Sequence, residues 1–169
     1  AAAIANKMTV KLRQNELRLN STIENLSNGI ITISPNGQLL FVNKSAEVIS
    51  GIKVDQNSYS DIGVLGVKLK LKNDKLSIKA SDGHTLESGI RTDTYIRHIN
   101  GQKIPVEWFM NEVHDLHEHY YIIELKDLTE KRLAEQALLD NEKMIDAAIK
   151  HSNTGFALVS EDGVLSNRN

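Results

Sequence analysis

The sequence predicts an α+β domain, antiparallel strands with short helices, flanked by long amphipathic helices. Two turn signals, Pro35-Asn36-Gly37 and Asn100-Gly101, each separate runs of apolar and β-branched residues, which marks hairpins. Two stretches, 4–26 and 130–148, instead step their apolar residues by three and four, as one face of a helix does. Between the hairpins, Gly51 stops a short helical pattern.

The elements follow in order. From Ile4 to about Leu26 there is no Pro or Gly, and Ile4, Met8, Leu12, Leu19, Ile23 and Leu26 form a stripe with Asn15 on it. This helix either lies on its own domain or pairs with a second copy in a coiled coil whose register Asn15 sets; the second reading is favoured. Gly29 ends the pattern, and Ile30, Ile31 and Ile33, the turn, and Leu39–Val42 read as strand, turn, strand. Asn43-Lys44-Ser45-Ala46-Glu47 opens a short helix that ends at Gly51. Residues 53–80 are ambiguous: Val67–Leu71 alternates like a half-buried strand, yet Lys and Leu also form helices well. Next come a strand around Glu87–His98, the Asn100-Gly101 turn, a strand Lys103–Val113, a polar loop 114–119 and a strand Tyr120–Lys126. Thr129 is the expected N-cap of the last helix, whose stripe runs through Ala134, Leu138, Asn141, Ile145 and Ala148. That helix is either a stiff transmitter of register change or a simple spacer.

A faint repeat joins the two ends. At an offset of 126, Ile23, Gly29, Ser34, Gly37, Leu39 and Asn43 meet identical residues at Ile149, Gly155, Ser160, Gly163, Leu165 and Asn169. A period this long points to tandem globular domains rather than a solenoid.

Composition narrows the function classes. The chain has 169 residues, 40% hydrophobic and 25% charged, enough for one good core. A formal net charge of −2 offers no basic face that would favour nucleic acid or anionic lipid, and nucleic-acid partners are not expected. Cysteine is absent, which removes disulfides and thiolate metal sites. No apolar run approaches the roughly 20 residues of a membrane span. The expected location is the cytoplasm, within a parent protein that could itself be membrane-anchored. No phosphate-binding glycine loop, H-E-x-x-H, G-x-S-x-G or triad is present, so the fragment is not expected to be an enzyme; catalysis would belong to a further C-terminal domain.

Four stretches together carry a family resemblance over about residues 21–132. They are Asn28-Gly29, Asn43-Lys44-Ser45-Ala46, the run Asn100-Gly101-Gln102-Lys103-Ile104-Pro105-Val106-Glu107, and Asp127-Leu128-Thr129-Glu130-Lys131-Arg132. In this order and separation the chain resembles a PAS domain (sensory box) of a bacterial multidomain signalling protein. The resemblance implies the PAS fold, a five-stranded antiparallel sheet with helices on one face, enclosing a pocket that senses a small molecule or serves dimerisation. It divides the chain into an N-terminal helix (1–27), a PAS sensor domain (28–127), a connecting signalling helix (128–150) and the start of a second PAS domain (151–169). The partners it implies are a second copy bound through the flanking helices, a small organic ligand, and a C-terminal output domain such as a diguanylate cyclase, a phosphodiesterase or a histidine kinase.

Alternation along Lys103–Val113 sets Val106, Trp108 and Met110 on one face and Glu107, Phe109 and Asn111 on the other. With Ile123 of the next strand, the inward set Val106, Trp108 and Met110 forms the candidate ligand pocket, although the same residues serve equally as plain core. A buried Trp108 needs a partner for its indole N–H, from pocket water or ligand. Phe109 then looks outward, where a flanking helix could cover it. Asp127 and Thr129 are the candidate relay residues at the exit. Flavin chemistry through a cysteine adduct is excluded by the absence of cysteine, and haem is disfavoured, since His84 stands in a loop and 53–80 holds no histidine. The loop His114-Asp115-Leu116-His117-Glu118-His119 has metal-ligand residue types, but solvated loop residues are the better reading and no metal site is expected.

Overall fold

Eight strands and three helices follow from these patterns in the computed structural model, which describes residues 1–54 and 60–152. The order is α1 (Ala2–Glu24), β1 (Gly29–Ile33), β2 (Leu39–Val42), α2 (Lys44–Ser50), a 3₁₀ turn (Ile62–Leu65), β3 (Lys68–Lys72), β4 (Lys75–Lys79), β5 (Thr85–Leu86), β6 (Thr92–Arg97), β7 (Lys103–His114), β8 (His119–Asp127) and α3 (Thr129–Lys150). The chain divides into two units, Ala1–Thr129 and one that begins at Glu130. The apparent second repeat falls almost wholly on 153–169, outside the described residues.

The five-stranded antiparallel sheet runs β2-β1-β8-β7-β6, and β3-β4-β5 form a second, three-stranded sheet. Register aligns the apolar residues in rows: Ile31 opposes Ile123, which opposes Met110, while Leu125 opposes Trp108. The core lies between this face and a cover made by α2, the 3₁₀ turn and the small sheet, which contribute Ala46, Ile49, Ile62, Leu65, Leu76, Ile78 and Leu86. Burial of such side chains, about 1.5–3 kcal/mol each, is the main drive for folding.

Gly29 permits the closest approach. A Cβ built there would lie 2.9 Å from the Ala46 Cα, so β1 and α2 touch backbone to backbone. The first hairpin closes as Pro35-Asn36-Gly37 predicts, with the Gly37 N–H on the Ser34 carbonyl at 2.9 Å and a positive φ at Gly37.

Two expectations change, one ambiguity is settled and one alternative falls. Residues 68–79 form a hairpin, closed by Asn73 and Asp74 at φ 51 and 58, so the covering layer here is sheet. The strand expected from Glu87 starts at Thr92, because Gly89, at φ 83, turns the chain and donates to the Met110 carbonyl at 2.8 Å before β6 begins. Thr129 is the first helical residue, not the cap; the Asp127 carboxylate accepts from the Thr129 N–H at 2.8 Å. Finally, α1 does not lie on its own domain: it has no buried residue, and Leu12 and Leu19 are 62% and 63% exposed.

Candidate functional site

Pleating of β7 turns Val106, Trp108 and Met110 inward, and β8 places Ile123 beside Met110; all four are fully buried. The indole Nε1 of Trp108 has no hydrogen-bond partner among the described residues. An unpaired buried donor costs about 1–3 kcal/mol and is rare in native proteins. The cavities that hold Ser88 and Tyr121, Leu40 and Tyr120, Lys70 and Arg97, and Ser27 and Asp127 are lined by side chains other than these four.

The outer face of the sheet mixes charged side chains with half-buried apolar ones such as Ile30, Phe109 and Ile122. Arg91 lies over the Phe109 ring at 4.6 Å and pairs with Glu107 at 2.9 Å, so an arginine covers Phe109 in place of the expected helix. Arg91 also reaches Glu124 at 3.5 Å, and Glu124 accepts from the Asn28 side chain at 2.7 Å.

Two residues that sequence reasoning did not single out join the flanking helix to the sheet and the sheet to its exit. Asn43 is fully buried and uses its whole side-chain amide: Oδ1 accepts from the N–H groups of Ile30 at 2.8 Å and Ala46 at 2.9 Å, while Nδ2 donates to the carbonyls of Ile23 at 2.9 Å and Asn28 at 3.1 Å. One side chain thereby fastens the end of α1, β1 and the start of α2. Glu24 adds a second tie, its carboxylate accepting from the Lys44 N–H at 2.8 Å. At the other end, Leu128 is buried and its N–H donates to the Pro105 carbonyl at 2.9 Å, so the exit is held on β7 one residue before α3 begins. A cavity of about 290 Å³ lined by Ser27, Lys44, Ser45, Val48, Ile49 and Asp127 brings the α1–β1 connection, α2 and the exit together. Asn43 was visible as a helix start and, like Leu128, within the stretches that carry the family resemblance, but no local signal showed the partners of either.

At the far end of β7 and β8, His114 and His119 oppose each other with rings 4.7 Å apart. His119 Nε2 meets Glu112 at 2.8 Å, and the Tyr121 hydroxyl donates to the same carboxylate at 3.3 Å. Burial, together with the Glu112 charge, holds the Tyr121 phenol above its ordinary pKa. No group of three or more His, Asp or Glu side chains among the described residues is placed to hold a metal ion. His84 pairs instead with Asp82 at 3.1 Å. No helix among the described residues is long and apolar enough to cross a membrane.

No protein-family model and no curated protein matches the chain. Among solved structures it is similar to the PAS domain of an HTR-like protein from Haloarcula marismortui, at 13% identity and a TM-score of 0.53, covering 72% of this chain and 98% of that one. It is also similar to an RNA-binding Light-Oxygen-Voltage receptor, at 14% identity and a TM-score of 0.50, covering 79% of this chain and 38% of that one.

Proposed function

We propose, from the premise that this chain carries a PAS fold, that it is a sensory input module of a signalling protein. A small organic ligand enters the core against Val106, Trp108, Met110 and Ile123 and changes how the exit holds α3. The observation that supports this reading is the unpartnered Trp108 Nε1, a donor that a ligand acceptor would satisfy in otherwise apolar surroundings. Such a ligand works only through different affinities for two arrangements of the module. The relay then runs from β7 through Pro105, Leu128, Asp127 and Thr129 into α3, and on to an output domain such as a diguanylate cyclase, a phosphodiesterase or a histidine kinase. Dimerisation through α1 and α3 belongs to the same reading, because the stripe residues Met8, Leu12, Leu138 and Ile145 are all exposed.

A second reading, an interaction module whose core takes no ligand, is favoured by the complete burial of the four candidate residues. Native mass spectrometry of the purified chain and of Trp108→Phe separates the two. A stoichiometric small molecule retained by the parent chain and lost from Trp108→Phe, which keeps a ring but deletes the donor, supports the sensor. Two equally ligand-free chains, given a variant that still folds, support the interaction module.

A further inference from the structure

The hairpin β3–β4 gathers positive charge on one face. Register sets Lys68 opposite Lys79 and Lys72 opposite Lys75, so these pairs share the face that carries Lys70. Like charges directly opposite in a ladder destabilise it, with Cβ atoms about 4.5–5.5 Å apart. Lysines on an edge strand also discourage aggregation, but that role needs no cavity and no contribution from another sheet. Here both are present. A cavity of about 530 Å³ is lined by Lys68, Lys70, Lys79 and Arg97, with Gly66, Ala80, Ser81 and Gly83. Arg97 comes from β6 of the large sheet, and it fits because position 66 is glycine: a Cβ there would stand 3.3 Å from the Arg97 Cβ and 3.6 Å from its Nε.

No acidic side chain lines this cavity, and none of its four cations makes a side-chain hydrogen bond or ion pair among the described residues. The neighbouring Asp82 is engaged elsewhere, accepting from the Thr94 hydroxyl at 2.7 Å and pairing with His84. Four cations in one concavity, unneutralised among the described residues of a chain of net charge −2, are a local inversion of the surface field.

We propose that this junction of the two sheets is a binding site for a compact, multiply charged phosphate, a diphosphate or triphosphate group on a soluble molecule. A terminal phosphate carries about −1.5 to −2 at pH 7 and each inner phosphate of the chain adds about −1, so a diphosphate or triphosphate brings roughly −3 to −4 to the four cations. The Arg97 fork and the lysine ammoniums supply donors from both sheets, and the Ser81 hydroxyl is at hand on the wall. Binding would lock the small sheet to β6 and relieve the Lys68–Lys79 repulsion.

The test is isothermal titration of the full chain with pyrophosphate, with citrate and phosphoinositide vesicles as further arms. Saturable one-to-one binding of pyrophosphate is expected, weakened about tenfold or more in Arg97→Gln and in Lys79→Gln, unchanged in the distant Lys126→Gln, and weakened by salt. If Arg97→Gln fails to fold, the exposed double variant Lys68→Gln/Lys79→Gln carries the test. Absence of saturable binding, equal loss in Lys126→Gln, equal affinity for citrate, or preference for the vesicles would each overturn the proposal.

Discussion

Replacing Asn43 tests whether one buried amide holds the flanking helix to the sheet. Asn43→Ala removes four hydrogen bonds at once, two accepted from Ile30 and Ala46 and two donated to Ile23 and Asn28. Each is worth about 0.5–1.5 kcal/mol net. Loss of an Asn cap alone costs about 0.5–2 kcal/mol. The four bonds share one side chain and the backbone relaxes around the gap, so the expected loss is roughly 3–5 kcal/mol, a large part of a typical stability of about 5–15 kcal/mol. Urea unfolding followed by the fluorescence of the single tryptophan, the fully buried Trp108, measures it directly. The midpoint should fall with the slope unchanged. Asn43→Asp sharpens the test, because it keeps both acceptor bonds but turns an oxygen toward the Ile23 and Asn28 carbonyls. It should destabilise too, and hydrogen exchange should quicken around residues 23–30 before the rest of the sheet. An alanine variant within about 1 kcal/mol of the parent, or an aspartate variant as stable as the parent, would show that the Asn43 amide does not hold the flanking helix to the sheet.

Three further outcomes are expected. Gly29→Ala drives a Cβ to 2.9 Å from the Ala46 Cα, a contact with backbone that no side-chain rotation relieves, and should cost about 1–3 kcal/mol in the same urea assay. Thr94→Val should raise the pKa of Asp82 toward its ordinary value, read by carboxyl NMR: burial pushes that pKa up, but hydrogen bonds from Thr94 and His84 outweigh it and hold the carboxyl low. A depressed carboxyl pKa gives stability that is present above the unfolded value of about 3.9 and lost as pH falls through the folded value, so the variant should gain less stability between strong acid and neutrality. In α3, Leu138→Asp with Ile145→Asp should turn a dimer into a monomer in analytical ultracentrifugation while Trp108 fluorescence stays unchanged; a dimer that survives both charges would remove α3 from the interface.

Much of the large sheet was legible because its strands alternate. Val106, Trp108 and Met110 face inward as a period of two requires, and the Pro35-Asn36-Gly37 turn closes as its residues demand. The small sheet was harder: Lys-Leu alternation fits strand or helix, and the deciding signal was Asn73-Asp74, two residues that tolerate the left-handed conformation and close a two-residue hairpin. Gly89 was the available sign that the β6 pattern would not extend back to Glu87. What could not be read were contacts made across the fold. The Asn43 partners lie up to 20 residues away, Arg91 reaches Phe109 from another element, and Arg97 meets Lys68, Lys70 and Lys79 only because two sheets converge there. Pattern shows which face a residue takes and is silent about which distant group will meet it.

In the proposed sensor, the Trp108 indole N–H is the point at which a ligand is received. Because the chain has one tryptophan, its indole N–H gives a single proton–nitrogen NMR signal, which should be recorded for the chain as purified and again after unfolding, exhaustive dialysis and refolding. The signal should move upfield when a bound acceptor is stripped away and return when the removed small-molecule fraction is added back. A signal at the same position in both samples, with the rest of the spectrum showing the same fold and the removed fraction producing no change, would contradict it.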